Sequence, residues 1–310
     1  MQEQIEIKNK QLSLVLSKQG CSMQQLSVKG LASPLMSLLP LSEGNLPKSY
    51  SGYTIGPLCG RTRQGTITIG KKVYQLTQNE KGNHLHGGTH SLSHFHWEIE
   101  NQSGASVQMQ VFLPDGTDGY PGNRRVHCMY TLCDHSIVIT LRAFTDKPTF
   151  FNITNHAYWN LNSDFSTDIH AHVFHFPASH YFLNDGDFLP LEKAPVKGTS
   201  FDFTEPRSFL DSLAFCSPKE QIANAKGINH GFCTDRAEVS GNTASLVVES
   251  DAPDLWFYSG GFLGKETQLA NGSFAHPSCA FALEPQQVIN QEPTYPCQQY
   301  SRTITYTLLT

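Results

Sequence analysis

The chain has few charged residues, no long apolar run and no positively charged block. Charged residues make up 16% of its 310 residues and the net charge is -5, which excludes an extended nucleic-acid-binding surface. No apolar run approaches the ~20 residues that a membrane-spanning helix needs, so we expect no membrane partner. Residues 1–8 lack the apolar core of a signal peptide, and we therefore expect a cytoplasmic protein.

Cysteine pairs at metal-binding or redox spacing are also absent. Eight cysteines are spread between Cys21 and Cys297, and none forms a CxxC motif. That spacing is typical of zinc sites and of redox-active thiols. A chain of this size can bury a core without disulfide bonds. The cysteines are therefore predicted to be free thiols in a reducing compartment.

Short segments of alternating or β-branched residues are frequent, and this pattern is typical of β-strands. Helical periodicity is confined to residues 34–39 and 207–213. We predict an all-β protein with few short helices, a large antiparallel β-sandwich or barrel in one domain over residues 1–310. The predicted strands cover residues 12–16, 65–69, 105–113, 126–132, 136–144, 170–176, 244–249, 280–283 and 302–309.

The segment 149–162, which reads Thr-Phe-Phe-Asn-Ile-Thr-Asn-His-Ala-Tyr-Trp-Asn-Leu-Asn, combines a strand with polar and aromatic side chains. Residues 149–153 predict a strand and residues 160–163 predict a turn. Next to them, Tyr158 and Trp159 can cover the apolar faces of a sugar while the imidazole of His156 addresses its oxygens. Taken alone, the same residues equally fit a core histidine among core aromatics.

Histidines with strand spacing raise the possibility of a metal site. There are two such pairs, His84 with His86 and His94 with His96. On a strand, the two histidines of each pair would point to the same face and could bind a metal. Cupin-type metal sites add a glutamate shortly after such a pair, and Glu98 is poorly spaced for that role. In the alternative interpretation, His86 is a lone polar side chain at a crowded bend before Gly87 and Gly88.

Two loops contain further candidate groups. Arg61 lies in a glycine-flanked loop, where its guanidinium can bind sugar hydroxyls or a carboxylate, although most loop arginines are simply solvated. Residues 113–123 are rich in glycine, proline and aspartate. We interpret them as an architectural connection between strands, because a calcium loop needs more carboxylates.

Polar residues also interrupt two apolar stretches near the C-terminus. Asn229 and His230 either face a ligand or cap a turn. Glu284 follows an apolar strand, and Pro285 is expected to end the ladder pairing directly after it. A carboxyl group buried there would have a raised pKa and a stronger basicity, whereas the alternative is an ion pair with a neighbouring arginine.

In their order along the chain, these motifs resemble those of the aldose 1-epimerases, also called galactose mutarotases. The resemblance extends over essentially the whole chain and implies a single β-sandwich of the galactose mutarotase type with an open cleft. It implies neither a metal nor an organic cofactor. The matching segments are Asn83-x-Leu-His-Gly-Gly88, Asp115-Gly-x-x-Gly-Tyr-Pro-Gly122, Asn155-His-x-Tyr-Trp-Asn-Leu161, Asn229-His230, Pro253-x-Leu-Trp-Phe-Tyr258 and Leu283-Glu-Pro-Gln286.

The resemblance implies roles for five residues. Glu284 matches the general base, which must be ionised, and His156 matches the general acid, which must be protonated. Arg61, His86 and Asn229 match substrate-binding positions. The implied reaction interconverts the α and β anomers of a hexose such as glucose or galactose by opening and reclosing its ring. The implied partner is a small-molecule sugar, and the protein is expected to be a monomer or homodimer.

The sequence departs from the family pattern at three places. Pro57 and Gly60 replace an arginine and an asparagine in the loop before Arg61, and the usual Gly-Glu-x-Tyr segment is lost around residues 296–300. Asn229 stands where the family has an aspartate. An uncharged amide forms weaker hydrogen bonds, so we expect weaker binding of common aldoses or a preference for a sugar that presents an acceptor there.

Other functions stay open at this point. A hexose-phosphate mutarotase would want a cationic pocket, for which the pairs 124–125 and 71–72 are candidates, although each resembles an ordinary surface pair. A non-catalytic sugar-binding relative would explain Asn229, but the joint presence of Glu284 and His156 favours an enzyme. A cupin-like metalloenzyme is the remotest alternative.

Overall fold

The computed structural model describes residues 4–32, 36–37, 50–215, 217–265, 267 and 273–310. Within them the chain forms many short β-strands joined by tight turns. The strands of the first half are β1 (Gln4–Lys8), β2 (Leu12–Ser17), β3 (Ser22–Val28), β4 (Met36–Ser37), β5 (Thr54–Ile55), β6 (Arg61–Thr62), β7 (Thr66–Ile69), β8 (Lys72–Gln75), β9 (His84–Leu85), β10 (Glu98–Gln102), β11 (Ser106–Leu113), β12 (Arg124–Cys133) and β13 (Ser136–Thr145).

The second half continues the β-rich pattern and adds two short α-helices, α1 (Phe209–Ala214) and α2 (Lys219–Ala225). Single turns of 3₁₀ helix lie at Arg63–Gly65, Leu92–His94 and Thr117–Gly119. The strands are β14 (Thr154–Asn155), β15 (Tyr158–Trp159), β16 (Val173–His175), β17 (His180–Asn184), β18 (Pro190–Pro195), β19 (Arg207–Ser208), β20 (Asn229–Phe232), β21 (Arg236–Ser240), β22 (Ser245–Ser250), β23 (Asp254–Tyr258), β24 (Phe281–Gln286) and β25 (Tyr300–Leu309).

Two large antiparallel sheets form a β-sandwich, which confirms the predicted fold class. One has nine strands in the order β10-β11-β12-β13-β25-β22-β21-β16-β19, and the other has six in the order β15-β24-β23-β20-β17-β18. Strands β1 to β4 form a smaller sheet, and the pairs β5–β14, β6–β9 and β7–β8 form two-stranded ribbons. The ribbons carry the loops that surround the candidate site described below.

The hydrophobic core lies between the two large sheets. Successive side chains of a strand point to opposite faces, and in β13 the buried residues are accordingly Ile137, Ile139, Leu141 and Ala143. Aromatic rings connect the two layers: Phe174 on β16 lies 4.8 Å from Phe257 on β23, measured between ring centroids. The same alternation leaves the opposite face of the six-stranded sheet available for a binding site.

Most predicted strands are present with bounds shifted by a few residues, but two predictions were wrong in extent. The strand predicted at 170–176 is limited to β16. The strand predicted at 149–153 is irregular, and the ladder begins only at β14. The backbone there is satisfied outside a sheet, since the N–H of Ile153 donates to the Tyr300 hydroxyl over 2.9 Å and that of Asn152 to the Pro57 carbonyl over 2.7 Å.

Pro285 does not end the ladder, contrary to the sequence-based prediction. It lies within β24 and is paired with Leu255 of β23. Strand β15 pairs only with Phe281 and Ala282 of β24. Beyond them, one side of β24 has no ladder partner in the part of the chain that the structure describes. A proline is tolerated at such an edge because no N–H is required on that side. Glu284 consequently lies inside a strand rather than at its end.

The helix predicted at 207–213 is present as α1. Its first turn is capped by Ser208, whose hydroxyl oxygen accepts a hydrogen bond from the backbone N–H of Asp211 over 3.0 Å. The other helical prediction, at 34–39, is wrong for the two residues of β4, and its remainder lies outside the described residues. Neither α1 nor α2, nor any other helix in the described part of the chain, has the length and apolar character for a membrane crossing.

Candidate active site

A pocket of about 560 Å³ opens on the face of the six-stranded sheet that is turned away from the sandwich core. Strand alternation produces it: Trp159 and Leu283 pack in the core, whereas their neighbours Tyr158 and Glu284 line the pocket. The register of β23 and β24 places Trp256 directly opposite Glu284. The volume lies in the range of roughly 300–1,000 Å³ that is usual for small-molecule sites.

The six-stranded sheet forms the smaller part of the pocket wall, and the surrounding segments form the larger part. All five residues to which the sequence analysis assigns a role lie in this one wall. The sheet supplies Tyr158, Asn229, Trp256, Tyr258, Glu284 and Gln286, and the surrounding segments supply Tyr50, Arg61, Glu80, Lys81, His86, His156, Phe188 and Phe262.

Glu284 and His156 meet deep in the pocket. Nε2 of His156 lies 3.4 Å from Oε1 of Glu284, and their side chains are only 6% and 3% exposed. Nδ1 of His156 and Oε2 of Glu284 are buried without a hydrogen-bond partner among the described residues. Buried polar atoms in folded proteins almost always have partners. The hydrogen bonding of the pair is therefore left incomplete by the described side chains.

Burial determines how this pair is protonated. Removal from water raises the pKa of the Glu284 carboxyl to about 8, against the opposing charge of Arg61. It also lowers the pKa of the His156 imidazole to about 4. Burial thus favours the uncharged form of each group, a protonated carboxyl and a neutral imidazole. These shifts run against the ionised glutamate and protonated histidine that the family resemblance implies.

His156 is held in place by the segment around residues 52–53. Its backbone N–H donates to the carbonyl of Tyr53 and its carbonyl accepts from the N–H of Gly52, both over 2.9 Å. Gly52 has φ of +76°, and a Cβ there would lie 2.0 Å from the carbonyl oxygen of Met23. A side chain at this position would therefore displace the segment that supports the imidazole. Sequence reasoning missed this support.

His86 reaches the pocket through a turn with three consecutive positive φ angles. They are +50° at His86, +87° at Gly87 and +96° at Gly88. A Cβ on Gly87 would lie 1.9 Å from the carbonyl oxygen of Gly56, and one on Gly88 would lie 2.6 Å from the carboxylate of Asp118. The bend is crowded as predicted, but His86 is not a lone polar side chain, since its ring centroid lies 5.5 Å from that of His156.

The backbone selects the tautomer of His86. Nδ1 lies 3.3 Å from the backbone nitrogen of Gly60, whose N–H can only donate. Burial, and secondarily the nearby His156, hold the pKa of His86 well below its usual value, so the ring is neutral. Its single proton is therefore on Nε2. His86 offers the pocket a hydrogen-bond donor, which suits an oxygen of a ligand.

The same turn contradicts the metal sites proposed from histidine spacing. Strand β9 ends before His86, so His84 and His86 do not share a strand face. His84 instead bonds to the Tyr120 hydroxyl and the Thr77 carbonyl, both over 2.6 Å. His94 lies in a 3₁₀ turn rather than a strand, so it also lacks the predicted pairing geometry with His96.

A different group of donors converges in the pocket. One atom each of His86, His156 and Glu284 lie within 4.8 Å of one another. Two imidazoles and a carboxylate form the protein ligands of some catalytic zinc sites. A metal ligand must offer a free lone pair, whereas the two nitrogens of His86 are occupied by the Gly60 N–H and by the ring proton. The cluster fits sugar oxygens better than a cation.

Arg61 is not a solvated loop arginine. Its Nε and Nη2 donate to the two carboxylate oxygens of Glu80 over 2.6 and 2.8 Å, and its guanidinium lies 5.3 Å from the ring centroid of Phe188. Because Glu80 takes this charge, the alternative in which Glu284 forms an ion pair with an arginine is wrong. Nη1 of Arg61 has no partner among the described residues and is available to a ligand.

The Asn229–His230 pair is divided by strand alternation. Asn229 lines the pocket, and its Oδ1 accepts a hydrogen bond from Nε1 of Trp256 over 2.7 Å. His230 points the opposite way, where its ring lies 4.6 Å from that of Phe201 and its Nε2 lies 2.8 Å from Oε1 of Gln221. Only the first of the two residues faces the pocket.

The basic pairs considered for phosphate binding do not line this pocket. Arg124 is fully buried rather than at the surface. It donates to the carbonyls of Gly122 and Pro114 over 3.1 and 2.9 Å, and burial lowers its pKa to about 10. It therefore stabilises the 113–123 loop. Nζ of Lys72 lies 4.6 Å from the ring centroid of Tyr74, on the β7–β8 ribbon.

The 113–123 loop has the architectural role predicted for it. Asp118 is buried, and its carboxylate accepts hydrogen bonds from the backbone N–H groups of Thr89 and His90 over 3.0 and 2.7 Å. These bonds anchor the chain directly after the His86 turn. A carboxylate used in this way is not free to bind calcium.

Sequence reasoning missed several wall residues. Trp256 and Gln286 could have been predicted, because each belongs to a segment that matches the family pattern. Gln286 also stands two positions after Glu284, so the two side chains share a strand face. Glu80 and Phe188 had none, since both come from loops. Phe188 has φ of +62°, which is rare for a bulky residue, and such strained backbone often occurs at ligand sites.

The class of fold is clear from solved structures. An aldose epimerase homologue from C. elegans superposes with a TM-score of 0.88 at 24% identity over 99% of both chains. The galactose 1-epimerase of Lactobacillus acidophilus superposes with a TM-score of 0.86 at 25% identity, over 98% of this chain and 93% of that one. The β-sandwich is thus of the galactose mutarotase type.

Sequence relatives identify the family within that class. The family model for aldose 1-epimerase matches residues 3–298. The galactose mutarotase of Homo sapiens is 31% identical over 311 residues, 95% of this chain and 88% of that protein. The aldose 1-epimerase of Escherichia coli (strain K12) is 32% identical over 260 residues, 75% and 74% of the two chains. The chain belongs to the aldose 1-epimerase family, a family of carbohydrate-acting isomerases.

The turn at His86 generates a stability prediction. We expect Gly87→Ala to destabilise the protein by clearly more than the roughly 1–2 kcal/mol of a left-handed non-glycine residue, because its Cβ meets a backbone carbonyl. Gly70→Ala is the matched control, since Gly70 has φ of +61° but nothing within 4 Å of its Cβ position. Chemical denaturation measures both. Equal losses in the two variants would contradict a steric role for Gly87.

The tautomer of His86 generates a prediction about metals. We expect purified protein to contain no stoichiometric transition metal and its isomerase activity to be unchanged after dialysis against EDTA. Elemental analysis and activity measured on the same sample test this. A stoichiometric metal whose removal abolishes activity, and whose return restores it, would refute the assignment of His86 as a hydrogen-bond donor.

Proposed function

We propose that the protein is an aldose 1-epimerase that interconverts the α and β anomers of a hexose such as glucose or galactose. The observation that carries this proposal is the buried contact of 3.4 Å between His156 and Glu284. Anomer exchange requires one proton to leave O1 while another reaches the ring oxygen O5. Both oxygens are bonded to C1, so one neighbouring acid–base pair can serve both.

The reaction proceeds by general acid–base catalysis. Glu284 takes the proton of O1 and His156 donates a proton to O5, and the C1–O5 bond breaks to leave an open-chain aldehyde. Rotation about C1–C2 presents the other face of the carbonyl. Reclosure returns the proton to O1 and restores the proton of His156. No atom is gained or lost, and no redox change occurs.

The pair must first take up its reactive protonation state. Burial favours a protonated Glu284 carboxyl and a neutral His156 imidazole, because both groups are desolvated. Moving the carboxyl proton across the 3.4 Å contact produces an ionised carboxylate beside an imidazolium without a change in total charge. Sugar hydroxyls and the His86 N–H favour this state, because hydrogen bonds to a charged group are about twice as strong as neutral ones.

The pocket wall suits a pyranose. Tyr158 and Trp256 offer flat apolar surfaces for the C–H faces of the ring. His86 supplies a donor beside the reacting oxygens. Arg61 and Asn229 supply further polar contacts away from the acid–base pair. The combination of aromatic surface with a few directed polar groups is usual for small-molecule sites.

The alternatives have less support. The phosphate group of a hexose-phosphate carries a charge of about −1.5 to −2 at neutral pH and is usually held by several cations. Here Arg61 is paired with Glu80, and Lys81 lies 3.4 Å from a carboxylate oxygen of Asp187. A non-catalytic sugar-binding protein has no need for a carboxyl and an imidazole buried in contact. Polarimetry of freshly dissolved α-glucose and α-galactose separates an epimerase from a binding protein.

Removal of either member of the pair tests the assigned roles. We expect Glu284→Gln and His156→Ala each to lower kcat by about 10²–10⁴-fold, the usual contribution of a positioned acid or base. Stopped-flow polarimetry at saturating sugar measures kcat, and circular dichroism verifies folding. A folded variant with kcat near that of the unmodified protein would show that the altered residue transfers no proton in the reaction.

The buried pair also predicts a pH profile. Activity requires that Glu284 and His156 together hold one proton. We therefore expect kcat/KM to rise through about pH 4, where the imidazolium of His156 loses its proton, and to fall above about pH 8, where the Glu284 carboxyl ionises. Any residual activity of Glu284→Gln should lack the basic limb. A basic limb that persists unchanged in that variant would assign it to another group.

A further inference from the structure

Trp256 determines which end of the Asn229 amide faces the pocket. An indole N–H is a donor only, so the atom 2.7 Å from Nε1 of Trp256 must be the amide oxygen of Asn229. The NH₂ group is therefore at the other end of the amide. It has no hydrogen-bond partner among the described residues, and Asn229 lines the pocket. The side chain offers a ligand two N–H donors and no acceptor.

Backbone hydrogen bonds fix the position of Asn229 in β20, and the Trp256 indole fixes the orientation of its side-chain amide. The carbonyl of Asn229 accepts from Nδ2 of Asn184 over 2.8 Å, and its backbone N–H donates to Nδ1 of His230 over 3.1 Å. A rotated amide would place its NH₂ against the indole N–H and leave two donors facing each other. The orientation is thus a property of the folded protein rather than of a bound ligand.

Other polar groups of the wall also present hydrogen-bond donors to the pocket. Oε1 of Gln286 accepts from the thiol of Cys59 over 3.3 Å, which leaves its NH₂ group without a partner in the described part of the chain. His86 presents an N–H, and Nη1 of Arg61 is unpaired there. Glu80, the other carboxylate of the wall besides Glu284, is already bound by Arg61. The wall therefore favours ligand atoms that accept hydrogen bonds.

Asn229 addresses the part of the sugar that lies away from C1. It is on β20, and Glu284 is on β24, with β23 between them. Two strand spacings separate these backbones by roughly 10 Å, about the span of a pyranose with its substituents. A substituent near Asn229 is consequently remote from the anomeric carbon that Glu284 and His156 serve.

We propose that Asn229 makes the enzyme selective for aldoses that carry an acceptor-only oxygen away from C1. A hydroxyl both donates and accepts, so it gains little from a wall of donors, whereas a carboxylate or an amide carbonyl uses every donor. The matching chemistry is a hexuronic acid, with its carboxylate, or an acetamido sugar, with its carbonyl. This inference rests on the proposed epimerase function and adds its substrate class.

Asn229→Asp is the decisive variant, because it keeps the volume and the acceptor for Trp256 but replaces the NH₂ by a charged oxygen. Mutarotation of glucuronate, galacturonate, N-acetylglucosamine, glucose and galactose is measured for both proteins. We expect the ratio of kcat/KM for the uronates to that for the neutral hexoses to fall by about tenfold to a hundredfold. A fall for N-acetylglucosamine instead would identify the acetamido sugar as the preferred class.

Two further variants serve as checks. Asn101→Asp places the same charge on an exposed residue of β10, outside the pocket, and should leave all ratios unchanged. Trp256→Phe keeps a ring but removes the N–H, so the Asn229 amide can turn its oxygen to the ligand. We expect the preference for acceptor-only sugars to weaken severalfold in that variant without any change in charge.

Binding provides a readout that does not depend on turnover. Trp97 and Trp159 are in the core, and Trp256 lines the pocket, so a sugar-induced change in fluorescence of Glu284→Gln reports on the site. Ratios that are insensitive to Asn229→Asp, in an enzyme that mutarotates glucose, would overturn the selectivity and leave the epimerase function intact. Uronate binding that depends on Asn229 without turnover of any sugar would overturn the epimerase function instead.

Discussion

The exclusion of water from Glu284 and His156 is the constraint on which the site depends. A carboxyl in water is ionised at neutral pH and an imidazole is partly protonated, so neither would share its proton with the other. Burial raises the pKa of the first and lowers that of the second, so each favours its uncharged form. The two groups thereby form one acid–base unit next to a single carbon atom of a ligand.

The six-stranded sheet supplies the low-polarity environment for this pair. Its core face is closed by aromatic contacts with the nine-stranded sheet, such as that between Trp159 and Tyr306 at 5.1 Å. Its other face carries Glu284, Trp256 and Asn229 on adjacent strands, in a geometry that the ladder keeps rigid. The loops then bring the histidines over this surface, and glycines at tight turns let the backbone approach closely enough.

Hydrogen bonds with neighbouring protein groups orient the polar side chains of the wall. The Gly60 N–H selects the tautomer of His86, the Trp256 indole selects the orientation of Asn229, and Glu80 neutralises the guanidinium of Arg61. Each of these contacts removes one hydrogen-bonding option from a functional side chain. Together they make the pocket rich in donors, with Glu284 as its central carboxyl group.

The sequence by itself determined the strands and the family. Alternation in segments such as β11, β12, β13 and β25 predicts strands because one face of each is buried. The Leu-His-Gly-Gly motif predicts a bend because two glycines follow His86. The order of the motifs assigned the five candidate site residues, and the structure brings all five to one pocket. The sequence pattern was thus sufficient for features that depend on residues close together in the chain.

Only the tertiary structure decided the properties that depend on distant contacts. The pKa order of Glu284 and His156, the partner of Arg61 and the polarity of Asn229 are each set by groups far away in the chain. Pro285 stays in its strand because of an unpaired sheet edge, and residues 149–153 avoid a ladder because other groups satisfy their backbone. Burial and hydrogen-bond partners are properties of the packed chain, so no local pattern encodes them.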